Sequence, residues 1–64
     1  MKLWTYVEKN VRVELKNGQQ FIGIVDDYDD EIANNCGEES IYIDDGIQIY
    51  DLYKSQIKSI EVLD

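Results

Sequence analysis

Residues 11–28 read VRVELKNGQQFIGIVDDY, and their pattern decides the fold class. Val11, Val13 and Leu15 alternate with Arg12, Glu14 and Lys16, the period-two signature of a strand with one dry and one wet face. Asn17-Gly18 then stands between two apolar runs. A two-residue hairpin loop requires positive φ at both central positions, which Asn tolerates and Gly accepts freely, so this dipeptide predicts a hairpin. The returning strand, Phe21-Ile22-Gly23-Ile24-Val25, is apolar on both faces, as a strand passing between two layers must be. Gly23 has no side chain and is read as the point of a sharp bend and close packing. Phe21, Gly23 and Val25 share one face. Ile22 and Ile24 share the other, which is expected to be covered by the N-terminal helix or by a second subunit.

Outward from this hairpin, Leu3, Trp4 and Val7 fall on one side of a helical wheel, so residues 2–9 are read as a short α-helix. Two turns are not stable alone, so this helix must dock on the sheet. Trp4 is its expected anchor, with ligand stacking as the other reading, and Asn10 its expected terminator. Residues 26–39, DDYDDEIANNCGEE, hold seven carboxylates and no basic residue, and are read as a loop. Ser40-Ile41-Tyr42-Ile43 alternates as a third strand, Asp44-Asp45-Gly46 turns, and Ile47-Gln48-Ile49-Tyr50 alternates as a fourth. Residues 51–56 form a connection with room for one helical turn. A fifth strand, residues 57–63, is expected to point Ile60 and Val62 inward. The fold class is therefore all-β: one domain, residues 1–64, forming a small, strongly bent five-stranded antiparallel barrel with a short N-terminal helix.

Composition bounds the function. A 64-residue chain buries only about 60% of its extended surface, which leaves no depth for an active-site cleft. With one cysteine, Cys36, and no histidine, an internal disulfide is impossible and a zinc site or imidazole-based catalysis is not expected. Cys36 has no cation beside it in sequence and reads as an ordinary thiol. No enzyme activity, cofactor or resident metal is expected. The net charge of −8 opposes plain attraction to nucleic acid or to an anionic membrane and favours basic protein partners, or simply solubility. Neither DNA nor a membrane is an expected partner. No apolar run has the length of a signal or a membrane span, so a cytoplasmic protein is expected.

The acidic run also invites a cation reading. Counting from Asp27 as position one, Asp29, Glu31 and Glu38 fall at positions three, five and twelve, as in a calcium loop of the EF-hand type. Position six is Ile32 where that loop needs glycine.

The spacing Leu15-x-x-Gly18-x-x-Phe21-x-Gly23-x-Val25-x-x-Tyr28-Asp29 resembles the first motif of the Sm-like (LSM) family. Residues Ile47-x-Ile49 through Ile57-x-x-Ile60 resemble its second motif, so the resemblance covers nearly the whole chain. More narrowly, MKLWxYV at the N-terminus and IKSIEVL near the C-terminus resemble small acidic bacterial Sm-like proteins of undefined role. The resemblance implies a non-catalytic interaction module that forms a homo-oligomer by pairing the fourth strand of one subunit with the fifth of the next. Ile47, Ile49, Tyr50, Ile57, Ile60 and Val62 are its candidate interface residues. It also implies RNA held at the loops, with Asp29, Asn34, Tyr53 and Lys54 at the corresponding places. Asp29 and Asn34 stand five apart, more than the family spacing, and Asp51-Leu52-Tyr53-Lys54 replaces the family's Arg-Gly pair. The alternative function is an acidic-loop module that binds a basic protein partner or a divalent cation.

Overall fold

The structure, a computed structural model, describes residues 2–32 and 37–63. Its five strands are β1 (Asn10–Leu15), β2 (Gln20–Asp29), β3 (Ser40–Asp44), β4 (Ile49–Tyr53) and β5 (Ile57–Val62). All neighbours are antiparallel and belong to one sheet, ordered β4-β3-β2-β1-β5. β4 and β5 are the two ends of that sheet and do not pair with each other, so the sheet is open. Its curvature shows in the Phe21 and Tyr50 rings, carried by β2 and β4, whose centroids lie 4.7 Å apart although β3 separates their strands. One core, made of Leu3, Val11, Val13, Leu15, Val25, Ile41, Ile43, Leu52 and Ile57, fills the concave side. Among the described residues no helix is long and apolar enough to cross a membrane.

β1 follows its alternation, with Val11, Val13 and Leu15 buried and Arg12 exposed. The hairpin forms where Asn17-Gly18 places it, but its loop has three residues rather than two. Gly18 N–H donates to the Leu15 carbonyl at 3.0 Å and Leu15 N–H to the Gln19 carbonyl at 2.8 Å. Only Gly18 is left-handed, with φ at 93°, because a turn followed by a glycine bulge needs one such residue instead of two. The Asn17 amide oxygen is used differently, accepting the Gln19 N–H at 3.0 Å.

β2 runs four residues into the stretch expected to be a loop. Asp27, Tyr28 and Asp29 pair with Tyr42, Ile41 and Ser40 after a bulge between Val25 and Asp27. Pairing with β3 overrides the poor strand propensity of aspartate, since the Asp26 and Asp27 side chains can face water. The bulge also changes parity: Gly23 and Val25 point inward, and beyond it Tyr28 does so. Ile22 and Ile24 remain 53% and 52% exposed, so the N-terminal segment does not cover them.

That segment is a single 3₁₀ turn (Leu3–Tyr6), not an α-helix over residues 2–9. Three residues per turn aligns Leu3 with Tyr6, and Leu3 is the fully buried anchor while Trp4 is half exposed. Glu8, at φ 70°, supplies the left-handed step expected of Asn10. Its N–H donates to the Val25 carbonyl at 2.8 Å, and Val25 N–H returns to the Lys9 carbonyl at 3.0 Å. These bonds take up the backbone before Asn10 opens β1.

β4 begins at Ile49, two residues later than expected, and runs on to Tyr53. The Asp45 carboxylate accepts the N–H groups of Ile47 and Gln48, both at 2.8 Å, which removes those amides from the ladder. These bonds, that from Gln48 foremost, hold the Asp45 carboxyl below its ordinary range. A second 3₁₀ turn (Lys54–Gln56) follows. In β5 the inward residues are Ile57, 3% exposed, and the partly buried Ile60. Val62, expected inside, is 42% exposed. The β1–β5 register shifts between Glu14 and Leu15, so residues three apart, rather than two, face the core.

Candidate functional site

The ends of β2 and β4 flank the start of β3 at one end of the sheet. Asp29 pairs with Ser40, and Ser40 with Tyr53, so three of the four residues proposed to meet RNA lie in neighbouring positions. The fourth, Asn34, lies outside the described residues, as does Cys36. The charges there are internally engaged. Asp29 accepts a hydrogen bond from the Tyr42 hydroxyl. Lys54 Nζ binds Glu39 Oε2 at 3.2 Å, and Lys54 N–H donates to the Glu39 carbonyl at 2.9 Å. Glu38 Oε1 accepts the Ser55 N–H at 2.8 Å, and the hydrogen bonds from Ser55 lower the Glu38 pKa.

The calcium-loop reading meets a geometric obstacle. Asp27 and Asp29 belong to strand β2, whereas the EF-hand type needs its first ligands on a curling loop. The Asp27 carboxylate accepts the Tyr28 N–H at 2.8 Å. Among the described residues no three acidic side chains, with those of Glu31 and Glu38 included, converge as a metal site would require.

The expected interface residues divide. Ile49 is 58% exposed on β4, and Ile47 is exposed in the preceding turn. Val62 is exposed on β5. Tyr50 packs on Phe21, and Ile60 lies against the core. Ile57 is a core residue and is withdrawn from any outer surface.

A concavity that sequence reasoning missed lies beside the acidic run. Trp4, Tyr28, Asp30, Glu31, Ile32 and Glu39 line an open surface hollow of ≈ 320 Å³. The 3₁₀ turn supplies Trp4, the end of β2 supplies Tyr28, and the chain on either side of residues 33–36 supplies the rest. The Trp4 and Tyr28 rings meet edge to face, centroids 6.2 Å apart and planes at 66°. Tyr28 donates its hydroxyl to Glu39 Oε1 at 2.7 Å. That bond first, then burial and the charges of Glu39, Asp30 and Glu31, push the phenol pKa up to about 12. Glu39 is held below its ordinary range by the same hydroxyl and by Lys54. The sequence signal for this site is slight: Trp4 follows Leu3, and two adjacent apolar residues cannot both point inward from a single turn.

Compared with known proteins, the chain matches no family model, no curated protein and no solved structure.

Proposed function

We propose that this protein is a non-catalytic, self-associating interaction module, an Sm-like barrel in its finer architecture, in which β4 of one copy pairs with β5 of the next. The carrying observation is the sheet order: β4 and β5 are its two ends, each with one side unpaired by another strand among the described residues. Unpaired strand edges present backbone donors and acceptors in register and tend to recruit further strands. Because the two edges differ, the contact is head-to-tail, which closes into a ring or extends as a filament. Ile49 and Val62 supply exposed apolar surface on these edges. A charge of −8 per copy opposes assembly, so association strengthens with added salt.

RNA at the loops belongs to this reading only through the family resemblance. Lys54 is engaged by Glu39, and Asp29, Glu38 and Glu39 stand near it in the sheet register and hydrogen-bond pattern. Filter binding to poly-U at low salt tests that part, and absence of retention removes it. Size-exclusion chromatography with light scattering tests assembly. Wild-type protein is expected to be oligomeric at tens of micromolar, and Ile49→Lys monomeric with its melting temperature retained. A wild-type monomer would sink the proposal.

A further inference from the structure

Trp4 is the chain's only tryptophan, and it stands 52% exposed beside a cavity while Leu3 fills the core. Indole rings are highly buried on average, but on this turn Leu3 takes the inward place and Trp4 is left at the surface. The ring is nevertheless held, edge to face, against Tyr28. Tyr28 is held in turn by Glu39, whose two carboxylate oxygens are taken by the Tyr28 hydroxyl and Lys54 Nζ. The aromatic walls are thus fixed from behind. At the rim, the Asp30 carboxylate accepts the Ile32 N–H at 3.0 Å, and Glu31 lies between them in the chain.

Two features of this cavity select the same kind of guest. Aromatic faces carry the negative end of a quadrupole and attract cations. The rim carboxylates add full negative charge, in a chain with 14 acidic and 6 basic residues. A phosphate or carboxylate is repelled by both, and a neutral apolar group leaves the rim charges unused. The phenol pKa of Tyr28 is raised chiefly by its bond to Glu39, with burial and then the charges of Glu39, Asp30 and Glu31 adding to it.

We propose that this cavity receives the lysine or arginine side chain of a basic partner protein, its cationic head over Trp4 and Tyr28 and within reach of Asp30 and Glu31. None of the cavity residues belongs to β4 or β5, so this site is separate from the self-association edges.

The single tryptophan makes the test direct. Trp4 emission is titrated with acetyl-Arg-Gly-Arg-Gly-Arg-amide, with its lysine counterpart, with its citrulline counterpart and with poly-U. The two cationic peptides are expected to give a saturable change that weakens with salt. Citrulline, which keeps the shape and loses the charge, is expected to bind at least about tenfold more weakly. Glu31→Gln, on an exposed turn, is expected to weaken binding roughly twofold to fivefold. Trp4→Leu, checked for an unchanged melt and followed by the NMR shifts of Tyr28, is expected to do the same. Equal binding by Trp4→Leu and wild type would mean diffuse attraction by net charge and would overturn the proposal. So would undiminished binding by Glu31→Gln, equal binding of the citrulline peptide, or a response to poly-U in place of the peptides.

Discussion

Replacing Gly23 by alanine tests the close packing that the sheet depends on. A Cβ built at Gly23 would lie 2.3 Å from the carbonyl oxygen of Asp44, 2.8 Å from its carbon and 3.0 Å from Ile43 Cγ2. The first distance falls about 1 Å short of ordinary van der Waals contact. The obstacle is backbone at the end of β3, so no rotamer change relieves it. Asp44 is also held by pairing with Ile24 on β2 and Ile49 on β4. Overpacking of this kind costs about 1–3 kcal/mol or more, less at most about 1 kcal/mol gained by restricting the unfolded chain. A domain of this size is stable by roughly 3–10 kcal/mol. With about 4–8 °C of melting temperature per kcal/mol, Gly23→Ala should melt about 10 °C lower. Gly23→Val, with a branch at the same place, should be largely unfolded. Thermal and urea denaturation followed by circular dichroism measure both, with Ile22→Ala, half exposed next door, as the control. In a strand without such a clash, alanine normally stabilises relative to glycine, so the sign alone discriminates. A Gly23→Ala melting temperature within about 2 °C of wild type would refute the reasoning.

Two further outcomes follow from the packing and the tyrosine network. Leu3→Ala should cost about 2–5 kcal/mol because Leu3 is fully buried, whereas Trp4→Leu should cost far less; urea midpoints that rank the two in reverse would return the anchor role to Trp4. The phenols of Tyr28 and Tyr42 are pushed up to about 12, chiefly by donating to Glu39 and Asp29 respectively. A raised folded pKa means that this stabilisation is complete below the unfolded value of 10.0 and is lost as pH climbs toward about 12. In an absorbance titration, two of the five tyrosines should therefore ionise late, with the urea midpoint falling over the same range. All five ionising together near 10, with a constant midpoint, would contradict it.

The elements most readable from sequence were those in which one local rule decides. The alternation of residues 11–15 set the buried face of β1, and Asn17-Gly18 located the turn. Strand ends were less readable because hydrogen bonds between distant residues set them. Asp27 to Asp29 look like loop residues, yet β3 pairs with them. Ile47 looks like strand, yet the Asp45 carboxylate takes its amide. Bulges had the largest consequence, since one extra residue inverts every face beyond it. They turned Tyr28 toward the core and brought Ile57 into it.

The candidate sites divide in the same way. Sequence alone established an all-β chain, two hairpins, a strongly acidic surface and the absence of histidine chemistry, because composition and period-two patterning are properties of neighbours along the chain. Tertiary structure alone decided that β4 and β5 end the sheet, that Lys54 belongs to Glu39, and that Trp4 stands against Tyr28 beside Asp30, Glu31 and Glu39. Each of these joins residues more than ten positions apart, or ranks strands by their place in the sheet. Curvature and register, which no local segment encodes, bring such groups together.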